Sequence, residues 1–345
     1  MKEKKYDLIT FGRSSIDLYS QNIGAEFCDI KGFDAFVGGS PLNIAVAASR
    51  LGASVSLLTG VGEDKVGDFI LNFLTKQKVN TDTIPRKAGA RSSAVILGIE
   101  PPDRFPLVFY RDNCADSQVT IDDVIAANIS DYRMLEISAT ALNIEPSRSA
   151  VFFAAEVAQD NGVEVALDID FRADQWKDIR SFGLMVRALL PKVKIAIGTE
   201  EEILAATLQS ADQVSITHQQ ISAPKIKGDI DLSIQKIIHS GPEVLIVKRG
   251  SKGASIFHRD GTSIDVPGFP VDILNVLGAG DAFAGGFIYG YLQGWDLYKA
   301  CRLGNACGAW VVQRPGCAND MPYHDEVMDF ANGRGGLIEE NQVLV

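Results

Sequence analysis

Six short apolar runs recur along the chain, at Tyr6 to Phe11, Ser54 to Thr59, Met134 to Ser138, Val163 to Asp168, Lys194 to Ile197 and Val244 to Val247, and the segments between them carry apolar residues at helical spacing. Runs without polar alternation predict strands covered on both faces. The segments Pro41 to Leu51, Gly67 to Lys76, Ser147 to Gln159 and Leu232 to His239 predict helices, most of them opening near Pro, Ser, Asp or Gly. Alternation of the two gives an α/β fold whose central, mainly parallel sheet is flanked by helices. Ligands of such sheets collect at the carboxyl ends of the strands, where this chain places Gly12-Arg13-Ser14, Gly60-Val61-Gly62, Asp168-Ile169-Asp170 and Lys248-Arg249-Gly250.

Three segments break the alternation. Ile16 to Tyr19, Asp34 to Val37 and Ser92 to Tyr110 read as strands with no helix between them, the last as two strands joined at Pro101-Pro102-Asp103. They predict a small antiparallel β flap, drawn from about 14–38 and 90–112, that closes over a ligand and excludes water or forms a dimer interface. With 345 residues and 46% hydrophobic content, a single domain over 1–332 is expected, followed by a loosely held tail over 333–345. His218 to Lys227 reads as an insertion.

A formal charge of -11, from 33 basic and 44 acidic residues, excludes nucleic acid and an anionic membrane surface as natural partners. The five cysteines are odd in number and spread out, and the four histidines lack metal-site spacing. With no signal-peptide core after Met1 and no apolar stretch of the ~18 residues a span needs, a cytoplasmic protein with free thiols is expected.

The run Asn275-Val276-Leu277-Gly278-Ala279-Gly280-Asp281-Ala282-Phe283 carries the chemistry. Gly278, Ala279 and Gly280 let consecutive N–H groups point outward at the start of a helix, which favours an anion there. Asp281 repels a resting phosphate, so it makes sense as a base that takes the proton of an attacking hydroxyl while the amides steady a moving phosphoryl group. Two other readings are open: a plain tight connection, and a dinucleotide fingerprint. The second needs an acidic residue after a second strand about 20 positions on, and Asp296 sits instead after Gly294-Trp295 in a loop.

Val37-Gly38-Gly39-Ser40-Pro41-Leu42-Asn43 sets two glycines before a helix whose first turn presents an amide. Together with Gly60-Val61-Gly62-Glu63-Asp64-Lys65-Val66-Gly67-Asp68 and the 275–283 run, in that order, it resembles the ribokinase-like (PfkB) family of carbohydrate kinases over about residues 6–330. The resemblance implies ATP and Mg2+ as cofactors, Asp281 as catalytic base, and the backbone of Gly278, Ala279 and Gly280 as the anion hole. It implies substrate contacts from Asp17, Gly39 and Asn43, and nucleotide contacts from Lys248, Gly250, Gly253 and Asn305. A small-molecule sugar partner and a homodimer or other homo-oligomer are implied as well.

Two departures stand out. Asn275-Val276-Leu277 replaces Asp-Thr-Thr, removing the carboxylate often linked to a monovalent cation and leaving that dependence open. Gly198-Thr199-Glu200-Glu201 replaces Asn-x-x-Glu, so Glu201 is the expected carboxylate beside magnesium. For the acceptor, Phe109-Tyr110-Arg111-Asp112-Asn113-Cys114-Ala115-Asp116 and Asp168-Ile169-Asp170-Phe171-Arg172 resemble the branch of the family that phosphorylates keto-deoxy sugar acids. Arg111 and Arg172 are then a carboxylate clamp, since a guanidinium fork suits a carboxylate. A neutral-sugar kinase and a non-catalytic sugar sensor on the same fold remain as alternatives.

Overall fold

The computed structural model describes residues 4–100, 104–215 and 224–338. An eight-stranded sheet forms its centre. Its strands are β1 (Tyr6–Phe11), β4 (Val55–Leu58), β7 (Tyr132–Ser138), β8 (Glu164–Asp168), β9 (Ile195–Thr199), β10 (Val244–Lys248), β11 (Ala254–His258) and β12 (Ser263–Val266). Across the sheet the order is β12-β11-β10-β9-β8-β7-β1-β4, parallel from β10 to β4 and antiparallel at β10·β11 and β11·β12.

Successive residues of the strands serve opposite faces. Leu8, Met134, Ala166, Ile195 and Ile246 join one buried cluster, and Ile9, Leu135, Leu167, Ala196 and Leu245 join the other. Both faces are dry, which is why the strands read as unbroken apolar runs. The first face is covered by α1 (Ser40–Leu51), α3 (Ala279–Leu292) and α4 (Leu297–Val311); α2 (Glu200–Ala206) follows β9 directly. Helix α3 is apolar nearly all round because it is sandwiched. A Cβ on Gly285 would come within 2.5 Å of Ala47 Cβ on α1, and one on Gly286 within 2.8 Å of Cys307 Sγ on α4.

Beside this body lies a four-stranded flap, ordered β3-β2-β5-β6, from β2 (Ser15–Ser20), β3 (Phe33–Gly38), β5 (Ser93–Leu97) and β6 (Leu107–Tyr110). It is mixed rather than wholly antiparallel: β2·β5 run parallel while β2·β3 and β5·β6 run antiparallel. The joint at Pro101-Pro102-Asp103 lies outside the described residues. Asp64 fixes the base of the flap, capping the helix Lys65–Lys76 through Gly67 N–H (2.7 Å) and accepting from Ser92 N–H (2.8 Å) and Ser92 Oγ (2.9 Å). The Gly60 to Asp68 motif is thus an architectural clamp.

The expected tail begins at Gly333, and its described part extends to residue 338. Leu337 is buried, and Gly336 O accepts from Arg302 Nη2 at 2.9 Å; residues 339–345 lie outside the described set. Of the insertion, 218–223 also lie outside it, while Lys225–Ile226 pairs with Val214–Ser215. All five cysteines are free, and among the described residues no helix is long and apolar enough to cross a membrane.

Candidate active site

The strand order reverses at β1, with β4 on one side and β7 on the other, and the side chains of interest gather at the carboxyl ends of these strands. Gly278 caps α3 with φ +78°, and a Cβ there would sit 2.9 Å from Cys317 Sγ. Asn275, fully buried, shapes the loop ahead of it: its Oδ1 accepts from Leu277 N–H (3.1 Å) and its Nδ2 donates to Pro315 O (2.9 Å). The first-turn amides of α3 have no intrahelical acceptors, so the helix end offers donors and positive potential together. Ala279 N–H turns back toward Val276 O at 3.4 Å.

Asp281 occupies that first turn, and Asn43 Nδ2, from the start of α1, donates to its Oδ2 at 2.6 Å. Gly39 makes the approach of α1 possible: its φ is +115°, and a Cβ would fall 2.3 Å from Arg13 O. Burial pushes the Asp281 carboxyl up from its ordinary range, and the Asp170 carboxylate adds to the rise; Asn43, Lys248 and Arg172 oppose it. Asp17, on β2 of the flap, accepts from Ser15 Oγ at 2.6 Å, and Arg13 Nη1 donates to the same hydroxyl at 2.9 Å. Burial raises Asp17 too, with Arg13 pulling it back.

Arg172 pairs with Asp170 Oδ1 at 2.9 Å. Burial would lower its pKa, but Asp170, Glu202, Asp281 and Asp168 outweigh that and raise it. Arg111 follows β6, with Nε on Asp116 Oδ2 (2.7 Å) and Nη1 on Gln175 Oε1 (2.7 Å), while its buried Nη2 has no acceptor. Burial raises the Asp174 carboxyl, and Arg172, Arg13 and Arg111 all pull it back. Arg13 went unassigned in the sequence; the available signal was its position immediately after β1.

On the other side of the anion loop lies a cavity of about 330 Å³, bounded by Lys248, Gly250, Gly253, Ala279, Gly280 and Asn305 and floored by Phe269, Val276 and Phe283. Its apolar floor suits a flat base, and its glycines let a ligand approach backbone. Gly253, at φ +93°, tolerates nothing larger, because a Cβ would meet Val266 O at 2.1 Å. Asn305 spends its Nδ2 on Val266 O (3.1 Å) and Pro267 O (3.0 Å), holding the cavity wall.

Glu201 is corrected by the structure: it is exposed on α2, because the capping box at Thr199 turns the next residue, Glu202, inward instead. Glu202 Oε2 accepts from Thr199 N–H (2.7 Å) and lies 3.8 Å from Lys248 Nζ. Among the described residues no three His, Cys, Asp or Glu side chains are grouped to hold a metal ion.

The sequence from residue 6 to 323 matches the model of the pfkB family carbohydrate kinases. A Clostridium perfringens protein named 5-dehydro-2-deoxygluconokinase is 30% identical over 95% of this chain and 94% of its own length. A Bacillus anthracis protein of the same name is 32% identical over 95% of this chain and 96% of its own. A crystal structure of a putative ribokinase II from E. coli in complex with ATP and Mg2+ superposes with a TM-score of 0.82 at 22% identity, covering 95% of this chain and 100% of that one. With its flap, its anion loop and its two-sided cleft on one continuous α/β scaffold, the chain belongs to the pfkB family of carbohydrate kinases.

Proposed function

We propose that this kinase transfers the γ-phosphoryl of ATP to the primary 6-hydroxyl of 5-dehydro-2-deoxy-D-gluconate, a step of inositol breakdown. The observation that carries the reading is the presence in one chain of a half-buried carboxylate at the anion loop, Asp281, and of two ordered arginines, Arg111 and Arg172, assigned to the acceptor side. The names of the curated relatives support the same acceptor.

In this mechanism Asp17, Gly39 and Asn43 hold the acceptor's hydroxyls, and the arginine pair holds its carboxylate. Asp281 takes the proton of the 6-hydroxyl as that oxygen forms its bond to the γ-phosphorus. The bond to the β,γ-bridging oxygen breaks and ADP leaves, with the amides of the Gly278 to Asp281 turn stabilising charge on the phosphoryl oxygens. Magnesium, carried by the phosphates and water, neutralises charge on the triphosphate. Gly250, Gly253 and Asn305 shape the nucleotide side.

The outer face of the flap supports self-association. Direct cross-strand pairing puts Leu18 beside Ala35 and Ile96, and Ile96 beside Val108, on the face opposite Asp17; Phe33, Val108 and Tyr110 are exposed there. A second copy of the chain is the proposed occupant.

The test is a coupled ATP-to-ADP assay with magnesium, comparing 5-dehydro-2-deoxygluconate, 2-dehydro-3-deoxygluconate, fructose and ribose at equal concentration. Preference for the first is expected. Preference for 2-dehydro-3-deoxygluconate keeps the clamp and changes the acceptor, whereas turnover of neutral sugars alone, or full activity in Arg172→Ala, refutes the sugar-acid assignment.

A further inference from the structure

Lys248 ends β10, and its sequence neighbours point to the nucleotide turn at Gly250 to Gly253. Its ammonium lies elsewhere. Nζ is 3.3 Å from Asp168 Oδ1 and 3.8 Å from Glu202 Oε2, and it sits only 3.0 Å from where a Cβ on Gly280 would be. It therefore borders both the cavity and the second glycine of the anion loop. The adjacent Arg249 turns away, to Glu200 (3.1 Å) and Asp265 (3.5 Å).

Both carboxylates that hold the ammonium are themselves anchored. Asp168 Oδ2 accepts from Ser40 Oγ at 2.9 Å, at the start of α1, and Glu202 accepts from Thr199 N–H at the start of α2. Such anchoring fixes a long, flexible side chain in one place, at a point where a nearly dry setting magnifies its charge. Lys248 and Arg172 both act on Asp281, and Arg172 is bound to Asp170. A transferring phosphoryl needs a positive group at this end of the cleft, in a chain of net charge -11.

We infer that Lys248 is a catalytic residue whose ammonium stabilises the phosphoryl group in flight, and that Asp168 and Glu202 are its positioning residues. The inference rests on the phosphoryl-transfer mechanism proposed above and adds to it a role distinct from holding the nucleotide. As the bond from the γ-phosphorus to the bridging oxygen lengthens and the bond to the acceptor oxygen forms, the ammonium donates hydrogen bonds to the phosphoryl oxygens. The proton of the hydroxyl goes to Asp281, and ADP departs with the bridging-bond electron pair. Lys248 keeps its proton throughout, consistent with the carboxylates that raise its pKa against the effect of burial.

The experiment compares Lys248→Met, Lys248→Arg and the double variant Lys248→Met/Asp168→Asn with the wild type, using whichever of 5-dehydro-2-deoxygluconate, ribose or fructose the wild type phosphorylates. The wild type's choice of acceptor tests the proposed function, and the ratio of variant to wild type tests this inference. In Lys248→Met, kcat is expected to fall about 100-fold or more, with KM for ATP changed less than about threefold. Lys248→Arg should recover part of the rate. The double variant removes Asp168, the nearer of the two buried carboxylates that lose the ammonium, so it should unfold at a temperature closer to that of the wild type than the single variant does while staying as slow. The inference is overturned if the double variant regains wild-type kcat, which would make Lys248 a merely structural counter-ion. A rise in KM for ATP at unchanged kcat overturns it as well, since that outcome assigns Lys248 to ground-state nucleotide binding.

Discussion

Three glycines around the cleft differ in what a single methyl group would meet, and alanine at each separates backbone strain, steric overlap and loss of chemistry. At Gly278 the methyl faces both penalties. The backbone is left-handed at φ +78°, and the new Cβ would lie 2.9 Å from Cys317 Sγ and 3.0 Å from its Cβ, against the ~3.5 to 4.0 Å of a relaxed contact. Left-handed strain costs about 1 kcal/mol and overpacking about 1 to 3, so Gly278→Ala should lose roughly 2 to 4 kcal/mol of stability. Gly250 has φ +57° with nothing within 4 Å of the added carbon, so Gly250→Ala should lose only the strain, about 1 kcal/mol. At Gly280, in a helical first turn, the methyl meets only the end of a flexible side chain, Lys248 Nζ at 3.0 Å. Gly280→Ala should therefore be nearly neutral in stability, since alanine is the better helix former, while obstructing the anion loop and abolishing most turnover. Urea unfolding of the three variants, with slopes checked for equality, gives the stability order, and the coupled assay gives the activity order. A Gly278→Ala loss below about 1 kcal/mol, or a Gly280→Ala loss as large as that of Gly278→Ala, would refute the reasoning.

Other expectations concern Asp281 and the flap. Asp281→Asn should reduce kcat by about 100- to 10,000-fold while leaving the unfolding temperature equal or higher, since it removes a half-buried charge repelled by Asp170; near-normal turnover would eliminate Asp281 as the base. In Asn43→Ala the carboxyl loses a donor that opposes its raised pKa, so the pKa rises further. A base works when ionised, so activity is present above that pKa and lost as pH falls through it. The acid limb of the kcat/KM profile should therefore move to higher pH, and an unmoved limb would dissociate it from Asp281. Val108→Asp combined with Tyr110→Lys should convert an associated form to monomer, as read by light scattering after gel filtration, whereas wild type that is already monomeric would remove the flap interface.

The parallel core was legible because both faces of its strands are covered, leaving apolar runs such as Val244 to Val247 that no amphipathic pattern mimics. The Asp281 loop was legible for a local reason, since a left-handed cap and a helix start are written in adjacent residues. What depended on distant parts of the chain was harder to read. The parallel β2·β5 pair joins strands separated in the chain by β3, α1, β4 and the helix Lys65–Lys76, and nothing local distinguishes it from an antiparallel one. The choice between Glu201 and Glu202 turned on which glutamate closes the capping box at Thr199, a matter of one residue in helical phase. Lys248 sits beside Gly250 in sequence yet its ammonium lies beside Gly280 in space, and Arg13, Arg111 and Arg172, far apart in the chain, all act on Asp174.

Helix α3, wedged so closely that neither Gly285 nor Gly286 has room for a methyl group, bears Asp281, while Asp17 lies on a flap strand and Arg111 immediately follows one. In the proposed mechanism the base is therefore mounted on a tightly packed helix, whereas Asp17 and Arg111, two of the groups assigned to the acceptor, belong to a separate sheet and Arg172 follows β8 of the central one. Inheritance can act on the two independently: drift in the flap re-tunes which alcohol is admitted without disturbing how a phosphoryl group is passed. A scaffold divided in this way can give rise to kinases for many different acceptors while keeping a single catalytic turn.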